Sequence, residues 1–354
     1  MGWNQTIVAS QLNITYPIIQ AGMAGGATTP ELVAAVSNAG GLGTLGAGYM
    51  SPEQIRLAIQ KVKALTTRPF AVNLFIPEAF GSPHAEEVNA MNSILRMYRD
   101  RLGLMGEPDL TRVTESFDEQ LKILLEEAVP VFSFTFGIPS DEWIAKLKEK
   151  KIITIGTATN VREGLELEKK GIDMIVGQGY EAGGHRGTFI TDPKHSLIGT
   201  MSLIPQLADH VSIPVIAAGG IMDGRGIAAS LMLGAKGVQL GTAFLTCHES
   251  GAHQDYQRMI LEGTEEQTTL TTAFSGKLAR GIKNLFMNEM ESHQQEILPY
   301  PIQNTITRDI RLAAAQQNQP EYLSMWAGQG IRLSKKLPAN ELIEQWVRQT
   351  SEIM

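Results

Sequence analysis

The chain lacks the residues that would mark several large classes of protein. Its 354 residues include one cysteine, Cys247. That excludes an internal disulfide framework and a cysteine-rich metal site, and permits a reducing compartment. No run of 18 apolar residues occurs, and the N-terminus has no charged segment followed by an apolar one. Neither a membrane-spanning helix nor a secretory signal is therefore expected, and a cytoplasmic location is the expectation. Gly2 to Thr6 match a short myristoylation pattern, but no polybasic second signal accompanies them. The 30 basic and 37 acidic residues leave a net charge of −7, with no Lys/Arg cluster that would track a phosphate backbone, so nucleic acid is not an expected partner. No Asp/Glu/His cluster stands at ligand spacing, and no metal site is expected. No GxGxxG motif follows a strand-like run, so a Rossmann site for NAD is not indicated.

What the chain does have is glycine, 35 residues of it, against an ordinary share of about 7%. Hydrophobic residues make up 43% and charged residues 19%, as in ordinary globular proteins. Short apolar, β-branched runs recur at residues 17–21, 41–47, 70–76, 129–136, 152–157, 174–178, 214–218 and 237–241. Amphipathic stretches with apolar residues three and four apart separate them, as over 30–38, 52–64, 141–150 and 160–170. Eight βα units of this kind predict a single (β/α)8 barrel, a TIM barrel, for which about 250 residues suffice. Two additions remain. Residues 77–128 are too long for one crossover and carry a helical pattern, so a helical insertion after the third barrel strand is expected. Residues 245–354 are polar and helix-forming with proline breaks, and read as a C-terminal helical extension packed on the barrel within one domain.

Most of the predicted strands end in small or polar clusters that a barrel would gather at one face: Gly22 and Met23, residues 45–48, Asn73, residues 177–179, Gly219 and Gly220, and Gln239, Leu240, Gly241 and Thr242. The last two clusters follow the seventh and eighth strands, where barrels commonly bind phosphate through backbone N–H groups. Glycine allows that close approach, and the Thr242 hydroxyl adds a donor. A sugar phosphate would use the same corner. A flat heteroaromatic across the strand ends needs small neighbours and amides at its polar edge; Met23, Asn73 and Gln178 suit the pyrimidine side of a flavin. The segment Gln178-Gly179-Tyr180-Glu181-Ala182-Gly183-Gly184-His185-Arg186-Gly187-Thr188-Phe189 places His185 on a glycine-flexed loop at that face. Its imidazole is suited to act as a base or as an anion-binding acid. The other six histidines have no such context and read as surface or structural.

These segments resemble the nitronate monooxygenases, formerly 2-nitropropane dioxygenases, in their larger, fungal-like class. The resemblance rests on Pro17-Ile18-Ile19-Gln20-Ala21-Gly22-Met23-Ala24-Gly25-Gly26, Gly43-Thr44-Leu45-Gly46-Ala47-Gly48-Tyr49, Ala71-Val72-Asn73-Leu74-Phe75-Ile76-Pro77 and the histidine segment. Ala71 stands where a glycine is more usual. The resemblance implies FMN bound without dependence on NAD(P)H. It further implies oxidation of anionic nitronates such as propionate 3-nitronate by O2, through one-electron transfer to the flavin, to a carbonyl product and nitrite. Asn73, Gln178, Gly183, Gly220 and residues 239–242 match its flavin-binding positions. His185 matches its catalytic histidine, which takes the α-proton of a neutral nitroalkane or, protonated, complements an anionic substrate. Lys277 and Arg280 are two further cations near an expected mouth, with solvated helix charges as the plainer reading; Tyr180, Tyr300 and Tyr322 are candidates for the pocket wall. A flavin-dependent enoyl-ACP reductase is similar around Glu181 to His185 and would instead use NAD(P)H. A non-catalytic flavin- or phosphate-binding protein is the third reading. The oligomeric state and the physiological substrate stay open.

Overall fold

Each expected apolar run forms a parallel strand: β1 (Ile18–Gln20), β2 (Gly43–Gly46), β3 (Phe70–Phe75), β4 (Val131–Thr135), β5 (Ile153–Ala158) and β6 (Met174–Gln178). After a two-residue strand β7 (Gly184–His185), which belongs to a second sheet, come β8 (Val215–Ala218) and β9 (Gly237–Leu240). The computed structural model describes residues 2–78, 81, 84–106, 108, 110 and 113–354; the rest of the insertion expected over 77–128 lies outside the described residues. The barrel strands neighbour one another in the order β1, β9, β8, β6, β5, β4, β3, β2, and a parallel bridge from Ile19 to Leu42 joins the two ends. At that closure the buried Gln20 side chain accepts from Thr44 N (3.0 Å) and donates to Thr44 O (3.2 Å), adding two bonds to a short ladder.

The period of two along a strand explains both faces. Ile19, Ala71, Val131, Ile155, Met174, Val176 and Ile216 point inward and fill the barrel, joined by Val8 and Leu12 from the helix Ile7–Leu12. Their neighbours Ile18, Val72, Phe132, Ile175, Val215 and Ala217 point outward into the layer beneath the helices. Those helices begin where their caps dictate: Thr29, Ser51, Ser140 and Asn160 each accept a backbone N–H of the first turn, and prolines stand at the first positions of Pro30–Asn38 and Pro52–Leu65. The eighth helix of the ring is the last in the chain. Ala339–Ile353 lies between Gly224–Met232 and Pro30–Asn38, with Trp346 buried edge-on against Phe244.

The extension is more than helices. Strands β10 (Thr268–Thr271) and β11 (Ala279–Ile282) pair antiparallel, and β11 pairs in turn with β7. Around this sheet a second core forms from Phe274, Phe286, Met290, Ile302 and Ile310, together with Leu95 and Tyr98 of the insertion helix Ala85–Arg101. Insertion and extension thus pack on each other beside the barrel mouth. Among the described residues no helix is long and apolar enough to cross a membrane.

One buried carboxylate ties the loop after β7 to the barrel. Glu163 accepts from the backbone N and hydroxyl of Thr159 (both 2.7 Å), from Thr188 Oγ1 (2.5 Å) and from the N–H groups of Phe189 (2.8 Å) and Ile190 (3.3 Å). All five of these groups, from four residues, are donors, so an amide NH2 in place of one oxygen would face donors. Glu163→Gln is expected to lower stability by about 1–3 kcal/mol, read as a fall in the thermal midpoint, because buried donors lose their acceptor.

Candidate active site

A cavity of about 870 Å3 opens at the carboxyl ends of the barrel strands. It is lined by Gly22 and Met23 after β1, Asn73 in β3, Gln178 at the end of β6, and Gly183 and His185 on the loop beyond. Gly219 and Gly220 after β8 complete the lining with Gln239, Gly241 and Thr242 at the end of β9. The structure thus brings together the candidate residues with one exception. Leu240 points the other way, into the layer beneath the helices, and its backbone O accepts from Ala21 N (2.9 Å). A strand that puts Gln239 on the cavity must put the next side chain on the opposite face.

Glycine at these strand ends answers to backbone geometry. Gly219 and Gly220 hold φ of 116° and 71°, in the region that disfavours a side chain. Gly22 and Gly46 are required by crowding: a Cβ on Gly22 would lie 2.5 Å from Asn73 Cβ, and one on Gly46 within 2.7 Å of the Met23 backbone. The backbone around Gly183 presses on Ala327 and Gly328, and Gly328 N donates to Thr242 Oγ1 (2.9 Å). With its oxygen so used, the Thr242 hydroxyl keeps its proton for another acceptor.

The amides do different work. Asn73 Nδ2 donates to Ser133 Oγ (3.0 Å), which turns the Asn73 carbonyl oxygen toward open space. Gln178 bridges its own loop, donating to His185 O (3.0 Å) and accepting from Gly187 N (2.8 Å). Beneath it the buried Arg186 donates to the carbonyls of Gly179 (2.7 Å), Gln178 (2.7 Å) and Ser196 (2.8 Å). Burial pushes this guanidinium down to about 10, still charged at neutral pH.

His185 stands among rings: Trp326 at 5.2 Å, Phe136 at 5.9 Å and Tyr300 at 6.3 Å between centroids. Its Nε2 lies 2.8 Å from Ser275 Oγ. Burial, assisted by the positive charges of Lys277 and Arg311, pushes the imidazole down to about 3, so it is neutral at physiological pH. Arg311 also lines the cavity. It donates to Asn304 O, Asn304 Oδ1 (2.9 Å) and Thr307 O (3.4 Å), and no ion pair joins it to a carboxylate among the described residues. Tyr49 and Tyr300 line the cavity with it, and burial pushes both phenols up.

Several expectations change. Of the three tyrosines, only Tyr300 lines the cavity; Tyr322 packs on Tyr98, and Tyr180 lies under Arg280 (4.4 Å). Lys277 and Arg280 are not solvated helix charges. Arg280 is buried in β11, and Lys277 pairs with Glu78 (2.5 Å) above the Phe136 ring (4.4 Å). His253 lines the cavity, where its Nδ1 caps the helix Gln254–Leu261. Cys247 is buried and its thiol pushed up, which leaves it inert. Tyr49, Ser133, Ser275, Arg311 and Trp326 were not singled out as site residues. Tyr49 ends a glycine block that resembles the family pattern, whereas the residues from Ser275 onward carry no motif.

The family model described as nitronate monooxygenase matches residues 7–349. A probable nitronate monooxygenase of Staphylococcus haemolyticus is 50% identical over 356 residues, 99% of each chain. One from Staphylococcus aureus matches equally well. Among solved structures, nitroalkane oxidase from Streptomyces ansochromogenes is 38% identical with a TM-score of 0.90 over 98% of each chain. FabK from Thermotoga maritima is 32% identical with a TM-score of 0.77, covering 99% of this chain and 97% of its own. With a barrel whose strand-end glycines, Asn73 and His185 share one cavity, and with half-identical relatives along its whole length, the chain belongs to the nitronate monooxygenase family of flavin-dependent oxidoreductases.

Proposed function

We propose that the cavity binds FMN and that the enzyme oxidises alkyl nitronates carrying a second anionic group, such as propionate 3-nitronate, with O2, to a carbonyl product and nitrite. The observation that carries this reading is the sharing of one cavity by a glycine-lined anion cradle and a neutral, ring-walled histidine. The cavity volume lies within the range of cofactor sites. The left-handed backbone at Gly219 and Gly220 and the unspent proton of Thr242 suit a phosphate. The Asn73 carbonyl oxygen suits a donor on the polar edge of a flat ring. Bound FMN would supply the electron acceptor for the nitronate and the site of reaction with O2.

The protein's own groups would bind and orient the substrate. Arg311, which has no carboxylate partner among the described residues, suits a substrate carboxylate, and Tyr49 and Tyr300 would frame it. A neutral His185 keeps a lone pair available to take the α-proton of an uncharged nitroalkane. The burial that favours the neutral imidazole argues against a resting imidazolium as the anion site. Trp326, Phe136 and Tyr300 exclude water from the imidazole.

Anaerobic mixing tests the reading directly. Loss of the oxidised flavin absorbance is expected with propionate 3-nitronate and not with NADPH; the reverse would select the reductase reading, and failure to take up FMN would remove both. Arg311→Gln is expected to raise KM for propionate 3-nitronate by roughly tenfold to a hundredfold, as for loss of a charged hydrogen bond, while ethylnitronate changes little. The histidine also predicts a pH effect on stability. Its folded value near 3 lies below the unfolded 6.5, so the unfolded state binds the extra proton between them. Stability present above about pH 6.5 is lost as pH falls toward 3, and His185→Asn should lose less thermal midpoint than the parent between about pH 7 and 4.5.

A further inference from the structure

His185 has one polar partner for its ring among the described residues, and that partner comes from outside the barrel. Ser275 sits in the turn between β10 and β11, 90 residues away in sequence, and is 1% exposed. Its hydroxyl has one proton and two lone pairs to place. Three groups surround it: His185 Nε2 at 2.8 Å, the Lys277 carbonyl oxygen at 3.1 Å and the Lys277 N–H at 3.3 Å. The carbonyl can only accept, and no other described donor reaches it. The Lys277 N–H can only donate. Satisfying the carbonyl commits the serine proton to it, so the serine oxygen is left to accept from both nitrogens, and Nε2 must carry hydrogen. The opposite arrangement, with the serine proton on Nε2, would leave the Lys277 carbonyl without a donor in a buried turn.

We infer that Ser275 is a positioning residue that holds His185 as the Nε2–H tautomer, leaving the Nδ1 lone pair as the atom that accepts the substrate proton. The backbone supports this orientation. His185 pairs with Ala279 through β7 and β11, Gln178 holds its carbonyl, and Phe136, Tyr300 and Trp326 pack on the ring, which restricts exchange of its two nitrogens. Nδ1 makes no hydrogen bond to a described residue, on a side chain that lines the cavity. In the step itself, the α-carbon of a neutral nitroalkane loses its proton to Nδ1, and the C–H electron pair stays on the substrate as the nitronate. The imidazolium keeps its Nε2–H on Ser275, and the serine proton stays on the Lys277 carbonyl, so no proton passes through the serine. The nitronate formed beside the imidazolium supplies the negative charge that offsets Lys277 and Arg311. A substrate that enters already as the nitronate needs no such step and should be indifferent to the tautomer.

The inference rests on the reading of His185 as a base, and the test separates the two. In FMN-loaded protein with 15N-labelled histidine, the His185 signals, assigned by their loss in His185→Asn, should report a protonated Nε2 and an unprotonated Nδ1 near neutral pH. Ser275→Ala should give a mixture of tautomers, and Ser275→Thr should restore the single form. In turnover, Ser275→Ala should slow nitroethane by roughly tenfold or more, out of the ~100-fold or greater worth of a general base, and enlarge the isotope effect with 1,1-dideuterated nitroethane. Ethylnitronate turnover should stay within about twofold under the same reading. A protonated Nδ1 in the parent, or equal loss on both substrates with a normal flavin spectrum, would overturn the role of Ser275. If Ser275→Ala does not fold, the parent tautomer and the Ser275→Thr variant still decide. Nitroethane turnover undiminished in His185→Asn would instead remove the base reading, whatever the tautomer.

Discussion

Arg186 is the interaction on which the site depends most. Its guanidinium lies beneath the loop that follows β6 and ties together the backbone carbonyls of Gln178, Gly179 and Ser196. A charged donor set in a dry position makes those bonds stronger than neutral ones, and their directions are set by the planar fork. Directly above, Gln178 bridges His185 O and Gly187 N, and Glu163 anchors residues 188–190. The loop therefore behaves as part of the barrel. That rigidity places His185 in β7 at a defined distance from β11, which a free glycine-rich loop would not do.

The barrel and the added segments divide the cavity between them. From the barrel come the surfaces that need close backbone approach, at Gly22, Gly46, Gly219 and Gly220, where a single methyl group would collide or strain the chain. From the extension come the groups that need reach: Ser275 against the imidazole, Trp326 and Tyr300 as ring walls, and Arg311 as a half-buried cation. These side chains are held by a second core that packs against the insertion helix, so the two additions to the barrel stabilise each other. The same division accounts for the electrostatics. Burial keeps the imidazole neutral, and the positive charges of Lys277 and Arg311 act in the same direction.

Much of this was legible in the sequence, and for a definite reason. The eight strands announce themselves because a parallel strand covered on both faces must be apolar throughout, and the glycine clusters mark where strands end at the open face. Apolar periodicity placed the helices expected over 30–38, 52–64, 141–150 and 160–170 to within a residue at each end. His185, Asn73, Gln178 and the glycines could be named because each lies within a few residues of a strand whose end it follows, so local order in the chain already predicts a common face. Leu240 shows the limit of that logic: inclusion by adjacency fails where strand alternation sends a neighbour to the other side.

The extension obeyed no such rule. Its residues 268–282 form strands, not the expected helices, because pairing with β7 supplies ladder partners that no local pattern reveals. Arg280 looked like a surface charge and is buried, since its charge is met by the Tyr180 ring and carbonyl from a distant loop. By itself, then, the sequence determined the barrel, the face at which the cavity opens and the histidine that lines it, all of them properties of residues close together along the chain. Tertiary structure alone decided which nitrogen of that histidine meets Ser275, that Arg311 reaches the cavity and which rings enclose the pocket. Those depend on packing between segments some 90 or more residues apart, and nothing in local residue order encodes their register.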